Sequence, residues 1–163
     1  VDTVSTPGHS RLRLALASLL VALALAGCTS TPQAPPERDA DAKNFGTHPG
    51  YSTLYIYRPV PESNADWQES VLFVNQRLIG TTLPQTFYRV HLEPGTQTFA
   101  AMAADQGRFK LQTRPDELYF VELTVEGGTS YYRQVAADTG KRVVRECCAM
   151  LENWAPGQRP LLR

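Results

Sequence analysis

Few side chains in this sequence are suited to nucleophilic, redox or metal chemistry. The 163 residues include three cysteines, Cys28, Cys147 and Cys148, and three histidines. Zinc sites need ligands spaced so that several side chains converge, as in C-x2–4-C. Cys147 and Cys148 are adjacent, and adjacent helical residues point about 100° apart, so no metal and no cofactor is expected. His48 lies in a linker-like stretch, which leaves His91 as the base available to a folded domain. No G-x-S-x-G or Cys/His signature accompanies it. Asp and Glu are scattered, with no local pair that suggests glycoside hydrolysis. Gly127-Gly128 reads as a hairpin turn rather than a phosphate cradle, because no helix with Lys-Ser/Thr follows. The expectation is a protein with no catalytic residues.

The aromatic residues offer a different chemistry. Tyr51, Tyr55, Tyr57, Tyr131 and Tyr132 crowd onto strand-like segments. If Leu54 and Ile56 face a core, Tyr55 and Tyr57 line the opposite face, where rings can stack on sugars or seat a partner. Cross-strand packing explains the same density and is the preferred reading. Trp67 stands in the polar stretch PVPESNADWQES, residues 59–70, a loop long enough to suggest function. Tucked in, it would close one end of the domain, the preferred reading; exposed, it would be an anchor for a partner. Trp67, Tyr55, Tyr57 and Tyr131 are the candidate binding residues.

The elements that must position these groups are short and period-two. Thr53–Arg58, Val71–Asn75, Leu78–Thr82, Thr86–Leu92, Thr96–Ala101, Arg108–Thr113, Leu118–Glu126 and Thr129–Ala136 read as strands. Glu93-Pro94-Gly95 is a turn in which Pro sets φ and Gly supplies a positive one. Tyr119, Val121, Leu123 and Val125 share one face, expected to be core. Val144, Cys147, Leu151 and Trp154 fall at helical spacing, which predicts a short helix over Val143–Trp154, ended by Pro156-Gly157. Leu161 and Leu162 suggest a last edge strand. Short strands with regular turns predict a mainly β fold, a small antiparallel β-sandwich with one short C-terminal helix over residues 51–163.

Residues 1–27 read as an address. Arg11 and Arg13 precede an uncharged run, Leu14–Ala26, closed by Gly27 and Cys28. A positive flank, a short apolar core and small exit residues make a secretory signal. The run is too short to span a bilayer of roughly 30 Å comfortably. Leu25-Ala26-Gly27-Cys28 resembles a bacterial lipobox. That resemblance implies cleavage between Gly27 and Cys28, a diacylglycerol on the Cys28 sulfur and, commonly, a further acyl chain on its amine. Several chains anchor stably where one does not. Thr29 in place of the Asp that retains enterobacterial lipoproteins in the inner membrane implies the outer membrane. No basic cluster follows Cys28, so attraction to anionic headgroups is not part of the attachment. Residues 28–50 then read as a disordered, semi-extended tether, rich in Pro, Ala, Thr and charge. Thr29 to Gly50, if stretched, would reach roughly 70 Å. In the oxidising compartment this implies, Cys147 and Cys148 are left as a strained vicinal bond, a bridge to another chain or buried thiols, the last being preferred.

Balanced charge, 16 basic against 16 acidic residues with a pI near 7.0, argues against nucleic acid as a partner. A mean hydropathy of -0.28 argues against a polytopic membrane protein. Four segments carry a family resemblance: Leu54-Tyr55-Ile56-Tyr57-Arg58-Pro59, the hairpin VLFVNQRLIGTT at 71–82, the stretch from Phe87-Tyr88 to Pro94-Gly95, and Leu118-Tyr119-Phe120-Val121. Together they resemble the bacterial lipoproteins of domain-of-unknown-function 2846 and, more distantly, the PEGA-type β-sandwich. Gln76 stands where that hairpin usually has Gly, which disfavours a two-residue type I′ turn. Gln97 replaces a frequent His. The resemblance implies a β-sandwich envelope lipoprotein without assigned catalytic residues. The combined expectation is an outer-membrane lipoprotein facing the periplasm, a non-enzymatic binding or scaffolding module. Its partners would be the membrane, through the lipid, and an envelope protein or a glycan. A polysaccharide- or peptidoglycan-binding module and a hydrolase with a carboxylate pair are the competing classes.

Overall fold

The computed structural model describes residues 32–61, 67–101 and 109–153. The signal segment, the cleavage position Gly27, the lipidation candidate Cys28, Trp154 and the Leu161-Leu162 strand lie outside them.

Alternation in the sequence becomes nine strands and two helices among the described residues: α1 (Pro36–Ala42), β1 (Ser52–Arg58), β2 (Ser70–Val74), β3 (Arg77–Thr82), β4 (Thr86–Leu92), β5 (Gly95–Ala100), β6 (Phe109–Thr113), β7 (Leu118–Glu126), β8 (Thr129–Val135), α2 (Ala137–Cys147) and β9 (Ala149–Met150). They form a five-stranded sheet, β8-β7-β1-β4-β9, and a four-stranded sheet, β3-β2-β5-β6. The mainly β sandwich holds. One feature of it is corrected: the larger sheet is mixed, because β1 pairs with β7, and β4 with β9, in parallel.

Turn chemistry sets the hairpins. Asn75 and Gln76 both take positive φ, 51° and 64°, and Val74 pairs with Arg77 across them. The two-residue turn therefore forms despite Gln76. Asn75 supports it by accepting the Thr98 amide at 2.8 Å and donating to Gln97 at 2.6 Å. Gly127 and Gly128 close the β7–β8 hairpin with φ of 56° and 83°.

Two apolar layers result. Between the sheets lie Leu54, Ile56, Leu72, Val74, Ile79, Val90, Phe99, Leu111, Val121 and Leu123; Tyr119 and Val125 are buried as expected. On the outer face of the larger sheet a second layer gathers Ala42, Phe45, Tyr55, Tyr57, Phe87, Phe120, Val144, Cys148 and Met150. Strand β1 is buried at every position, as a strand covered on both faces must be.

Over residues 32–50, the part of the expected tether that the structure describes, the second layer replaces disorder with a docked segment. Residues 36–42 form a helix with Pro36 in its first turn, where the missing N–H costs nothing. Phe45 packs edge-on against Tyr55 and Phe120, with centroids at 5.2 and 5.7 Å. The chain leading in is fixed too: Gln33 bridges Leu151, the Glu152 amide donates to Pro32 O and the Ala34 amide to Met150 O. Arg38 clasps both oxygens of Glu152. A helix this short is marginal alone; its packing against β9 and the outer layer holds it.

The C-terminal helix also differs from expectation. It begins six residues earlier than Val143 and ends at Cys147, after which Ala149–Met150 joins the sheet. Gly140 explains its position: a Cβ there would collide with the Phe120 ring, so glycine permits close approach of α2 to β7.

Candidate functional site

Strand lengths create a groove. β1 pairs with β7 from Thr53↔Leu118 to Tyr57↔Glu122 and then stops, while β7 continues to Glu126. Pro59 and Pro61 follow immediately, and proline neither donates to a ladder nor continues a central strand. The segment Arg58–Pro61 therefore parts from β7. Beside it opens a groove of about 950 Å³, lined on β7 by Glu122–Glu126 and on β8 by Tyr131–Arg133. Among the described residues no strand pairs with the β1 side of 123–126.

The groove floor is polar and organised. Glu122 accepts from the Tyr57 hydroxyl at 3.0 Å and from Arg133 at 2.5 Å. Burial, and then the Glu122 charge, push the Tyr57 hydroxyl well above its ordinary pKa, so it stays a donor. The Glu122 hydrogen bond and charge raise the already high Arg133 pKa further. Thr124 and Tyr131 are cross-strand partners one step along the same face. Arg58 is itself buried and donates to Gln68 O at 2.7 Å and to Thr82 O at 3.0 Å. It braces the groove wall.

The structure separates the four candidate aromatics. Tyr55 and Tyr57 have no exposed surface and are withdrawn as binding residues. Tyr55 donates to Ala42 O at 2.7 Å, and its burial pushes its pKa up to about 12. Tyr131 is 52% exposed and Trp67 48%. Trp67 is therefore no tucked lid. It precedes Gln68, whose Oε1 approaches the Gly128 position at the hairpin turn, and the Ser70 and Ser130 hydroxyls meet at 2.6 Å beside it. With Val60, 55% exposed, these are the exposed large apolar residues among those described. Two of the three, Val60 and Tyr131, border the groove.

The catalytic candidates assemble elsewhere or not at all. Glu122 and Glu126 both line the groove, but four strand residues separate their Cα atoms by roughly 13 Å. His91 Nδ1 lies 2.9 Å from Thr53 Oγ1; Thr53 is fully buried and also accepts the His48 amide at 3.3 Å. The pair seats the His48 segment. Burial first, then Arg89 and His48, lower the His91 pKa to about 4. Groups of three or more metal-ligating side chains are absent among the described residues.

Cys147 and Cys148 are joined in a vicinal disulfide, in place of the two buried thiols expected. Cys148 is the buried member, its sulfur 3.6 Å from Arg58 O.

The residues that sequence reasoning missed are Glu122 and Arg133. They lie 11 positions apart, and only the β7–β8 register unites them. The signal was present indirectly, in two prolines that halt β1 beside a longer β7. No protein-family model, curated protein or solved structure matches this chain.

Proposed function

We propose that this chain is a lipid-anchored, non-enzymatic binding module of the bacterial cell envelope, held through Cys28 in the outer membrane and facing the periplasm. It receives an extended segment of an envelope protein in the groove beside β7. The observation that carries this reading is the β1-side edge of residues 123–126, with which no strand pairs among the described residues. An uncovered strand edge offers backbone donors and acceptors to an added strand, and flanking side chains supply selectivity. The Leu25–Cys28 motif supports the anchor. The two-sheet fold agrees with what the lipoprotein resemblance implies.

Tyr131 favours a second reading. Its exposed ring beside the Glu122–Arg133 pair suits a sugar ring, which stacks on an aromatic face and takes hydrogen bonds at its rim.

Photo-crosslinking in intact cells tests the site. A benzophenone side chain at Tyr131 should capture one discrete protein adduct, which a groove-filling Thr124→Trp variant abolishes. A probe at Gln112, exposed on β6, should not give that adduct. Glycan adducts at 131 alone would move the assignment to the second reading. Identical captures from 131 and 112, or none, would refute the groove as a binding site.

A further inference from the structure

The ordered N-terminal segment changes how far the domain can stand from a membrane. This inference rests on the reading of Cys28 as the lipidated residue. A disordered tether from Thr29 to Gly50 would give a reach of roughly 70 Å. Instead the chain is fastened from Pro32 onward. Pro32 accepts the Glu152 amide at 2.9 Å, the Ala34 amide donates to Met150 O at 2.9 Å, and Asp39 accepts the Met150 amide at 2.8 Å. Only Thr29, Ser30 and Thr31 separate Cys28 from Pro32, a stretch that spans at most about 14 Å.

We infer that the domain is held directly against the lipid surface, with the β9 edge of the larger sheet as its membrane-proximal side. The covalent leash sets this, not charge. Helix α1, at that edge, carries Glu37, Asp39 and Asp41. Its cation Arg38 pairs with Glu152, and Lys43, just past it, pairs with Asp39. Such a surface gains nothing from anionic headgroups. The groove lies at the opposite edge: β7 and β8 are three and four strands from β9 in the sheet, and at about 4.8 Å per strand that places it roughly 15–20 Å further out. A ligand of the groove must then come within about 40 Å of the leaflet, when leash, strand spacing and side chains are taken together.

Neutron reflectometry on the full lipidated chain in supported bilayers tests this. Intact mass measurement of the same sample comes first, to establish the acylated Cys28. Protein density should begin within about 15 Å of the headgroups and stay there when salt is raised. A flexible Gly-Ser insertion of about twenty residues between Ser30 and Thr31 leaves every docked residue in place and should move that density outward by roughly 25 Å. A bare thiol at Cys28 overturns both the anchor and this inference. An acylated chain whose density stands several tens of Å away, or one whose position ignores the insertion, overturns the inference and leaves the anchor standing.

Discussion

The outer face of the larger sheet has two halves made from the same strands. On one, Tyr55, Phe87 and Phe120 stack beneath Phe45, α1 and α2. On the other, past Tyr57 and Glu122, no helix among the described residues lies over Thr124, Tyr131 and Arg133, and the surface is a polar groove. β7 runs through both, with Phe120 in the first and Glu122, Thr124 and Glu126 in the second. The difference is made outside the sheet. Wherever the N-terminal segment and α2 reach, aromatic residues are dry and structural; where Pro59 and Pro61 turn the chain away, an aromatic and its charged neighbours face solvent. Residue type alone does not distinguish a buried Tyr55 from an exposed Tyr131.

The contrast predicts unequal costs. Phe120→Ala removes the ring that Phe45 and Tyr55 pack against and should destabilise the domain by about 3–5 kcal/mol, read by denaturant unfolding. A cost near that of a surface change would mean the helices do not cover this half.

The next largest effect is that of pH. His91, beneath the His48 segment, has its pKa lowered from 6.5 to about 4. As pH falls below about 6.5 the unfolded chain takes up this proton before the folded one does. Stability is therefore complete above that value, declines as the pH falls to about 4 and levels off below. The loss is at most about 3 kcal/mol, and His91→Asn should flatten that part of the profile.

Gly140→Ala places a methyl group against Phe120 and should cost about 1–3 kcal/mol through overpacking. The stability loss should be partly recovered in a Gly140→Ala, Phe120→Leu double variant if the ring is the obstacle. The smallest effect belongs to the open half. Tyr131→Ala should change stability by no more than about 0.5 kcal/mol while abolishing the crosslinked adduct formed near the groove, tracked by a probe at Val60. A large stability loss at Tyr131 would erase the distinction between the halves.

These two regions also show where sequence reasoning works. Strands were legible because alternation around Leu54, Ile56, Val121 and Leu123 survives as the inner core. The offer of Tyr55 and Tyr57 as binding residues and the reading of residues 32–50 as part of a free tether fail for one reason. Pro-rich, charged composition hides a seven-residue helix and a single Phe45 whose stability comes from contacts with β1, β7 and β9, none of them local. The parallel pairing of β1 with β7 was invisible for the same reason. Trp67 and Tyr131 emerge exposed, but the acid–base pair beside Tyr131 needed the ladder register to appear.

Hydrogen exchange on the lipidated protein tests the division most directly, comparing detergent-purified material with native outer membranes. The account predicts that amides of Leu54–Tyr57 are protected in both. Those of Leu123–Glu126 directed toward β1 should exchange quickly in the purified chain and become protected in the native membrane, where the groove is filled. Equal exchange of Leu123–Glu126 in both preparations, or exchange of Leu54–Tyr57 as rapid as that of the open edge, would contradict it.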